Sequence, residues 1–379
     1  MQNPNSFLVK ATFFLLFIIL FVYSLILAKA FLVPLAFGLL FSSLMFPVCR
    51  FLTRLGLHRR LSIFISIILM GVFFAAVSVL VVKEISDLVA NFPELKAKAL
   101  KNVNEVALYI QEVFGIETAS QKVWLKDQVE VLFSSGSKMM NNALNAMTGT
   151  IFKLFIIPVF VYYLMFYNKR FHFFILRAVP DNDKFRVNKI LTEISFVSQR
   201  YFGGAFVVVL ILAVINSIGL YMLGVKYAIL FGVISALCNF IPYFGTWIGS
   251  FFPIVFTLLF GGTPDLAVWV FVFFAVVHFI ESNILTPNIT GGYVRLNPFF
   301  TILGLIGGGM VWGVAGMLLV IPFMASLKII FENFESTQTL AFLIGRSDSD
   351  FYDNPFKKMK SFFATKKAPQ PDKSGKAEE

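Results

Sequence analysis

The residues of this chain that could do chemistry are concentrated in one polar segment, residues 278–298, with the sequence HFIESNILTPNITGGYVRLNP. Long apolar runs flank this segment on both sides, as in membrane-spanning sequence. Ionisable side chains and irregular backbone are costly at bilayer depth unless they are buried in protein or line a water-filled cavity. The polar segment therefore predicts a functional site on a transport path.

Glu281 is the residue of this segment with the clearest possible chemical role. His278 precedes it by three positions, so on a helix the imidazole and the carboxylate share one face. The carboxylate could carry a proton, bind a cation, form a static ion pair with Arg295, or lie at the membrane interface. The predicted substrate or ion path comprises Asn239, Tyr243, His278, Glu281, Asn283, Asn288 and Arg295.

The distribution of charge points to the same place. Three of the formal charges in residues 204–330 fall at or near predicted span ends, where water is within reach. Glu281 and Arg295 have no such explanation, which favours a polar cavity or an ion pair around them. The formal charges of this region are Lys226, Asp265, Glu281, Arg295 and Lys328.

Two apolar segments near the polar segment are interrupted. In NFIPYFGTWIGSFFP, residues 239–253, Pro242 removes a backbone donor and Gly245 permits turn geometry, so a helix should stop and restart near residues 243–244. In residues 297–322, a run of three glycines at 307–309 predicts a second break. Each segment could form two tilted crossings or one re-entrant hairpin, and the glycines could instead serve close helix packing. The predicted helix-break or gating positions are Pro242, Gly245, Pro287, Gly291, Gly292, Pro298, Gly307 and Gly308.

Composition determines the class of protein. Hydrophobic residues make up 58% of the chain and charged residues only 14%, against about 25% charged residues in soluble domains. No H-E-x-x-H, G-x-S-x-G or P-loop motif is present, so neither an enzyme nor an ATP-driven pump is expected. Two cysteines provide neither a disulfide framework nor a metal-ligand spacing. No cofactor, metal site or nucleic-acid partner is expected.

The elements that must position the polar segment are transmembrane helices. Runs of roughly 17 to 25 apolar residues are long enough to cross a bilayer. The predicted fold class is an all-α polytopic membrane protein with about eight spans, counting broken or re-entrant helices. The predicted regions are N-terminal helices (1–82), a small extracytoplasmic helical segment (83–150), a transmembrane helix with a basic cytoplasmic segment (151–203), a C-terminal core (204–330) and a tail (331–379). The predicted spans are 11–28, 30–47, 61–82, 151–167, 204–223, 225–260, 264–285 and 298–330.

Lysine and arginine positions predict the orientation. Residues 48–60 hold four arginines and no acid, and residues 168–203 hold seven basic residues against three acidic ones, so both should be cytoplasmic. Residues 83–150 are nearly balanced and should be extracytoplasmic, with an amphipathic helix that begins near Leu95 and Ala99. Both termini are then cytoplasmic in a bacterial inner membrane. The lysine-rich end of the tail is expected to be disordered and to touch anionic lipid.

Three motifs together resemble a known family. They are IPYFGTWIG at 241–249, ESNILTPNITGGYVRLNP at 281–298 and GGGMVWGVAGMLLVIP at 307–322. In this order they are similar to the autoinducer-2 exporter family of bacterial permease-like membrane proteins. The positions that match the family patterns are Ile241, Pro242, Gly245, Glu281, Asn283, Pro287, Val294, Leu296, Pro298, Gly313, Gly316, Leu318 and Pro322.

The resemblance implies secondary transport of a small solute, an autoinducer-2-like signal or similar, coupled to an ion gradient. It also implies a homo-oligomer, with a pentamer as one form. Two alternatives stay open at this point. One is a sodium or lithium antiporter coupled to protons in the same family, and the other is a membrane scaffold that uses the extracytoplasmic helices without transporting anything.

Overall fold

The computed structural model describes residues 4–99, 102, 127–128, 130–131, 134–136, 138, 142, 151–242, 244–260, 264–290 and 296–346. Its regular structure is helical throughout these residues, which confirms the predicted all-α class. The helices are α1 (Pro4–Leu27), α2 (Lys29–Arg54), α3 (Arg59–Ala90), α4 (Ile151–Arg177), α5 (Lys184–Met222), α6 (Ala228–Cys238), α7 (Gly245–Phe260), α8 (Pro264–Ile280), α9 (Thr286–Ile289), α10 (Pro298–Trp312), α11 (Val314–Glu332) and α12 (Gln338–Ile344).

Six of the described helical stretches are long and apolar enough to cross a membrane. They lie in α1, α2, α3, α5, the continuous stretch Asp265–Ile289, and α11. Their outward faces carry large exposed apolar side chains, such as Phe13, Phe64 and Phe271, as expected of surfaces in contact with lipid. The protein is therefore a polytopic membrane protein. The predicted boundaries at residues 82 and 203 fall inside continuous helices, α3 and α5.

Helices α2, α3 and α4 form an N-terminal bundle around an apolar cluster. The cluster joins Cys49 of α2, Ile63 and Met70 of α3, and Val161 and Met165 of α4. Helix α1 has none of its apolar window buried and is held to the C-terminal half by a hydrogen bond from Trp312 Nε1 to the carbonyl oxygen of Leu25, at 2.9 Å. The N-terminal bundle therefore has its own core, distinct from the one around the polar segment.

The interruption expected near residues 243–244 is present between α6 and α7. Helix α6 ends at Cys238 and α7 begins at Gly245. With 11 residues, α6 is about 17 Å long at ~1.5 Å per residue, too short for a hydrocarbon core of about 30 Å. Helices α6 and α7 thus form a hairpin whose turn ends inside the apolar layer, which favours the re-entrant alternative.

Small residues allow this hairpin to pack tightly against its neighbours. A Cβ atom on Gly232 of α6 would lie 2.3 Å from the Ser217 hydroxyl of α5, and one on Gly249 of α7 would lie 2.7 Å from Cα of Ser235. The Ser235 hydroxyl also donates a hydrogen bond to the Gly249 carbonyl at 2.6 Å. Such close approach of backbones stabilises helix pairs where lipid removes the usual hydrophobic driving force.

The second predicted break is misplaced. Helix α10 runs without interruption through Gly307 and Gly308, and the chain turns instead at Gly313, where φ is +65°. The helix continues through the glycine run because apolar residues flank the glycines and the Asn297 side chain caps the first turn. Gly313, in contrast, adopts a backbone conformation that other residues disfavour, and the helix ends there. Gly308 serves the packing alternative, since a Cβ there would lie 2.8 Å from the carbonyl oxygen of Gly316 on α11.

We expect Gly316→Ala to destabilise the α10–α11 hairpin. An added Cβ would lie 1.9 Å from the Gly308 carbonyl oxygen, so the two helices must separate, and overpacking of this kind costs about 1–3 kcal/mol. Gly307→Ala is the matched control, because nothing lies within 4 Å of a Cβ at that position. Thermal unfolding in detergent should show a lower midpoint for Gly316→Ala alone; equal midpoints would contradict the close contact.

The segment that follows α3 packs against the α6–α7 hairpin. Leu95 and Ala99, the first two positions of the predicted amphipathic stripe, are buried in a cluster with Leu88 of α3, Leu230 of α6 and Leu259 of α7. The remaining positions of that stripe and the lysine-rich end of the tail lie outside the described residues. The buried stripe therefore packs within the same chain at its beginning.

Candidate functional site

Four parts of the chain meet around a cavity of about 590 Å³. They are helix α5, the turn between α6 and α7, the end of α8 with α9, and the α10–α11 hairpin. Much of the polar lining consists of hydroxyl and amide groups, including Asn239, Thr246, Ser282, Thr286, Thr290 and Thr301. The volume falls within the range of small-molecule binding sites.

Glu281 projects into this cavity from an irregular point of the α8 stretch. The turn Glu281–Leu285 is a π-helix inserted between α8 and α9, and the Thr286 amide closes it by donating to the Glu281 carbonyl. A π-turn widens the helix by one residue and is frequent at functional sites. The side chain of Glu281 is 11% exposed, which makes it a nearly buried carboxylate at bilayer depth.

Three neighbouring side chains surround the carboxylate. The Thr286 hydroxyl donates to Oε1 at 2.7 Å, and the Ser282 hydroxyl donates to Oε2 at 3.3 Å. His278 Nδ1 lies 3.4 Å from Oε2, so the two residues predicted to share a helix face are in contact. The Trp247 ring of α7 stacks at a tilt on His278, with ring centroids 5.8 Å apart. The Glu281 carboxyl group thus accepts two hydroxyl hydrogen bonds and lies beside an imidazole.

We expect Thr286→Val to destabilise the folded protein. Valine preserves the shape of the side chain but removes the donor to Glu281 Oε1, and a lost hydrogen bond to a buried charged group costs about 1–3 kcal/mol. Thr53→Val in the N-terminal bundle is the control, because its hydroxyl donates to a helix carbonyl rather than to a charge. The measurement is the free energy of unfolding in detergent, and an equal loss in both variants would mean that Thr286 has no special role.

The turn between α6 and α7 lines the same cavity as Glu281. The Thr246 hydroxyl donates to Asn239 Oδ1 at 3.0 Å, which closes the turn through side chains. The Ile241 amide donates to the Cys238 carbonyl, and the Gly245 amide donates to the Ile241 carbonyl at 2.8 Å. Backbone groups freed by the helix break are therefore satisfied within the turn, as burial in an apolar layer requires.

The depth of the site follows from helix geometry. Glu281 lies about 25 Å along the helix axis from the beginning of α8 at Pro264, at ~1.5 Å per residue. The α6–α7 turn lies close to Val208 and Val209, which are about 20 Å along α5 from its end at Met222. Both distances are shorter than a hydrocarbon core of about 30 Å, as expected if helices α5 and α8 begin or end near its boundary and the turn and the carboxylate lie inside it.

A second, much smaller void adjoins the cavity. Its volume is about 10 Å³, and Asn239, Thr246 and Glu281 border both spaces. Beyond these three residues the void is bordered by Ser235 of α6 and Asn216 of α5. Asn216 is 3% exposed, and its Oδ1 has no hydrogen-bond partner within the described part of the chain.

The structure brings some of the predicted site residues together. Asn239, Pro242, His278 and Glu281 line the cavity, and Gly245 begins α7 beside it.

Two other predicted site residues do not line the cavity. Asn283 and Asn288 are exposed and lie outside the lining formed by the described residues. The Asn283 side chain donates to the Phe279 carbonyl at 2.9 Å. Asn283 follows Glu281 by two residues and so lies on another face of the helix, and the extra residue of the π-turn moves Asn288 off the face that carries Glu281. Pro287 lies in α9 and Pro298 begins α10, whereas Tyr243, Gly291, Gly292 and Arg295 lie outside the described residues.

The hydroxyl residues of the cavity and Asn216 were not among the predicted site residues. Thr246, Thr286 and Thr301 carry no strong signal because threonine is common in membrane helices, where its hydroxyl can donate to the preceding turn. Asn216 could have been found, because its amide stands in the middle of the apolar run at 204–223 and polar groups there are costly. The π-turn has no sequence signal beyond the polar residues themselves.

Comparison with known proteins places this architecture in one family. A family model described as "AI-2E family transporter" matches residues 15–336. The chain is similar to YrrI of Bacillus subtilis (strain 168), a provisionally named transport protein, with 28% identity over 82% of this chain and 88% of YrrI. It is also similar to YhhT of Escherichia coli (strain K12), again a provisionally named transport protein, with 24% identity over 83% of this chain and 87% of YhhT.

A shorter match joins the chain to a relative with a more specific name. The AI-2 transport protein TqsA of Escherichia coli (strain K12) is 31% identical over 32% of this chain and 35% of TqsA. The family match covers most of the chain, including the cavity and both hairpins. The helical membrane architecture and the family match agree, and the chain belongs to the AI-2E family of membrane transporters.

Proposed function

We propose that this protein is a secondary transporter that exports a small hydroxylated solute and couples its movement to an ion gradient. The observation that carries the proposal is the position of Glu281, a nearly buried carboxylate at the junction of a π-turn and a broken hairpin, inside a cavity of about 590 Å³. Discontinuous helices at bilayer depth are the sites where many secondary transporters bind substrates and ions.

The lining of the cavity supports a neutral, hydroxyl-rich solute. Threonine, serine and asparagine side chains can both donate to and accept from hydroxyl groups, whereas the lining offers a single carboxylate among the described residues. The printed name of TqsA identifies that relative as a transporter of AI-2. An autoinducer-2-like molecule is therefore the first solute to test.

Glu281 supports the ion-coupling part of the proposal. A carboxylate held by hydroxyl donors can exchange a proton or a cation as the cavity changes its access, because either partner neutralises a charge that the bilayer disfavours. The α6–α7 turn and the α10–α11 hairpin border the same cavity, so a shift of either would alter access to Glu281.

The proposed setting is a bacterial inner membrane with both termini in the cytoplasm and residues 83–150 outside the cell. The basic segments 48–60 and 168–203 support this orientation through the positive-inside rule. A homo-oligomer, with a pentamer as one form, belongs to the same proposal. Thiol labelling of a single cysteine introduced into each basic segment would test the orientation, and light scattering of the detergent-solubilised protein would test the assembly.

Reconstitution into liposomes tests the function. Purified protein should move labelled autoinducer-2 faster than protein-free liposomes do, and an imposed proton or sodium gradient should accelerate the flux. Absence of protein-dependent flux would overturn the proposed solute class. A flux that is equal with and without the proton and sodium gradients would overturn the proposed coupling.

A further inference from the structure

An apolar cleft of about 300 Å³ lies between α7 and α8, beside the main cavity. On each of the two helices the lining positions recur every three or four residues, so two helix faces oppose each other across the cleft. The apolar side chains that line it are Phe251, Ile254, Phe271, Phe274 and Ala275. The cleft is therefore a hydrocarbon-lined space between two apolar helices.

The cleft and the main cavity meet at three residues. Thr246, Trp247 and His278 line both spaces. The Trp247 and His278 rings, with centroids 5.8 Å apart, stand at the boundary. On the cavity side, His278 Nδ1 lies 3.4 Å from Glu281 Oε2. A polar space and an apolar space are thus adjacent, and two side chains with an apolar body and a polar tip separate them.

The cleft extends from this boundary along α8. Residues 261–263 join α7 to α8, so the two helices run in opposite directions, and Ile254 and Phe271 lie at the far end from His278. Phe271 and His278 are about 10 Å apart along the helix axis, at ~1.5 Å per residue. Residues 266–280 are apolar except for His278, so the cleft follows a stretch suited to contact with lipid rather than water.

A hydrocarbon chain is the ligand that fits this cleft. Phe251 and Phe271 are each more than half exposed, so the described part of the chain leaves their apolar surface uncovered. A phospholipid keeps its head at the membrane surface and would bring only a chain end to the polar boundary. A molecule whose polar head lies next to a short tail can fill the cavity and the cleft together, because the two spaces adjoin.

We propose that the α7–α8 cleft is a subsite for the hydrocarbon tail of an amphiphilic solute whose hydroxyl-bearing head occupies the main cavity. The hydroxyl and amide groups of the cavity bind the head, and Trp247 and His278 contact the junction of head and tail. This assignment rests on the proposed function and narrows its solute class to hydroxylated molecules with a short apolar tail.

A series of 1,2-alkanediols tests the subsite, because the head stays constant while the tail lengthens. Binding of radiolabelled 1,2-butanediol, 1,2-hexanediol and 1,2-octanediol to the protein in nanodiscs is measured by equilibrium dialysis, and uptake by protein-free nanodiscs is subtracted. We expect the half-saturating free concentration to fall about fourfold for each added methylene group, the usual effect of burying it. Equal half-saturating concentrations for the three diols would overturn the subsite.

Ala275→Phe locates the tail. Ala275 is exposed and lines the cleft but not the main cavity, so an added ring fills the tail space and leaves the head space intact. This variant should bind the three diols with equal half-saturating concentrations. Ala76→Phe on α3 is the matched control, because Ala76 is also exposed and lines neither space; it should keep the wild-type dependence. A dependence on tail length that survives in Ala275→Phe would overturn the subsite.

Phe271→Ala is a second variant in case Ala275→Phe does not fold. It removes apolar surface at the far end of the cleft, so it should weaken the binding of 1,2-octanediol and leave that of 1,2-butanediol unchanged. Unchanged binding of both diols would contradict the assignment. A smaller oligomeric mass of Ala275→Phe in light scattering, with wild-type diol binding, would mean that a second copy covers the cleft and would also overturn it.

The subsite and the proposed function can fail separately. Binding that depends on tail length, without protein-dependent solute flux in liposomes, would overturn the proposed function and support the subsite. Flux of autoinducer-2 together with equal binding of the three diols would support the function and overturn the subsite.

Discussion

Glu281→Gln is expected to abolish the dependence of solute flux on the ion gradient while the protein remains folded. Glutamine has nearly the same shape and can still accept from the Thr286 hydroxyl, but it cannot ionise. The ratio of flux with and without the gradient should fall by roughly 5- to 150-fold, the range of typical coupling free energies of about 1–3 kcal/mol. Reconstituted protein in liposomes provides the measurement.

Glu332→Gln is the matched control for that variant. Glu332 lies at the end of α11, is 44% exposed and pairs with Lys328 at 2.9 Å, so the same chemical change occurs at a solvent-accessible position. Exposed ion pairs contribute little to stability, and the coupling ratio should remain at the wild-type value. An unchanged ratio in Glu281→Gln would remove the carboxylate from the coupling mechanism.

Gly245→Ala is expected to reduce flux to about a tenth or less, because overpacking of a tight turn typically costs about 1–3 kcal/mol and displaces the chain. A Cβ atom on Gly245 would lie 2.1 Å from the Cys238 carbonyl oxygen and 2.7 Å from Cα of Asn239. These are backbone atoms that cannot rotate away, so the turn must open. Asn239 and Thr246 would then move apart, and the part of the cavity lining that they form beside Glu281 would be lost.

The control for the turn is Gly203→Ala, at a position in α5 where nothing lies within 4 Å of an added Cβ. Both variants should be compared for flux in liposomes and for the amount of folded protein recovered from detergent by size exclusion. Normal flux in a folded Gly245→Ala protein would show that the close approach at the turn is dispensable for transport.

Much of the site could be predicted because polar residues are conspicuous in an apolar chain. Glu281 and His278 were expected to be neighbours from their spacing alone, and their side chains lie 3.4 Å apart. The break at Pro242 and Gly245 was equally evident, since proline and glycine act on the local backbone. These predictions succeeded because each depends on interactions within a few residues.

The predicted break at the glycine run failed because it depends on a distant contact. Gly307 and Gly308 were expected to break α10, but the helix continues and the turn lies at Gly313. Whether a glycine breaks a helix or packs against one depends on the partner helix, and here Gly308 meets Gly316. Asn283 and Asn288 are exposed, and their place on the transport path stays a prediction.

Composition and residue spacing were enough to predict an all-α polytopic membrane protein, few ionisable residues in its apolar segments, and contact between Glu281 and His278. Those conclusions need only composition and helical periodicity, because the cost of polar groups in lipid limits where they can occur. The residues from other helices that lie near Glu281 became evident from the packing of those helices. Asn216 and Thr246 are 65 and 35 positions away from it and border the same void. That convergence is set by the close packing of α5, α6 and α7 at small residues, which no local pattern encodes.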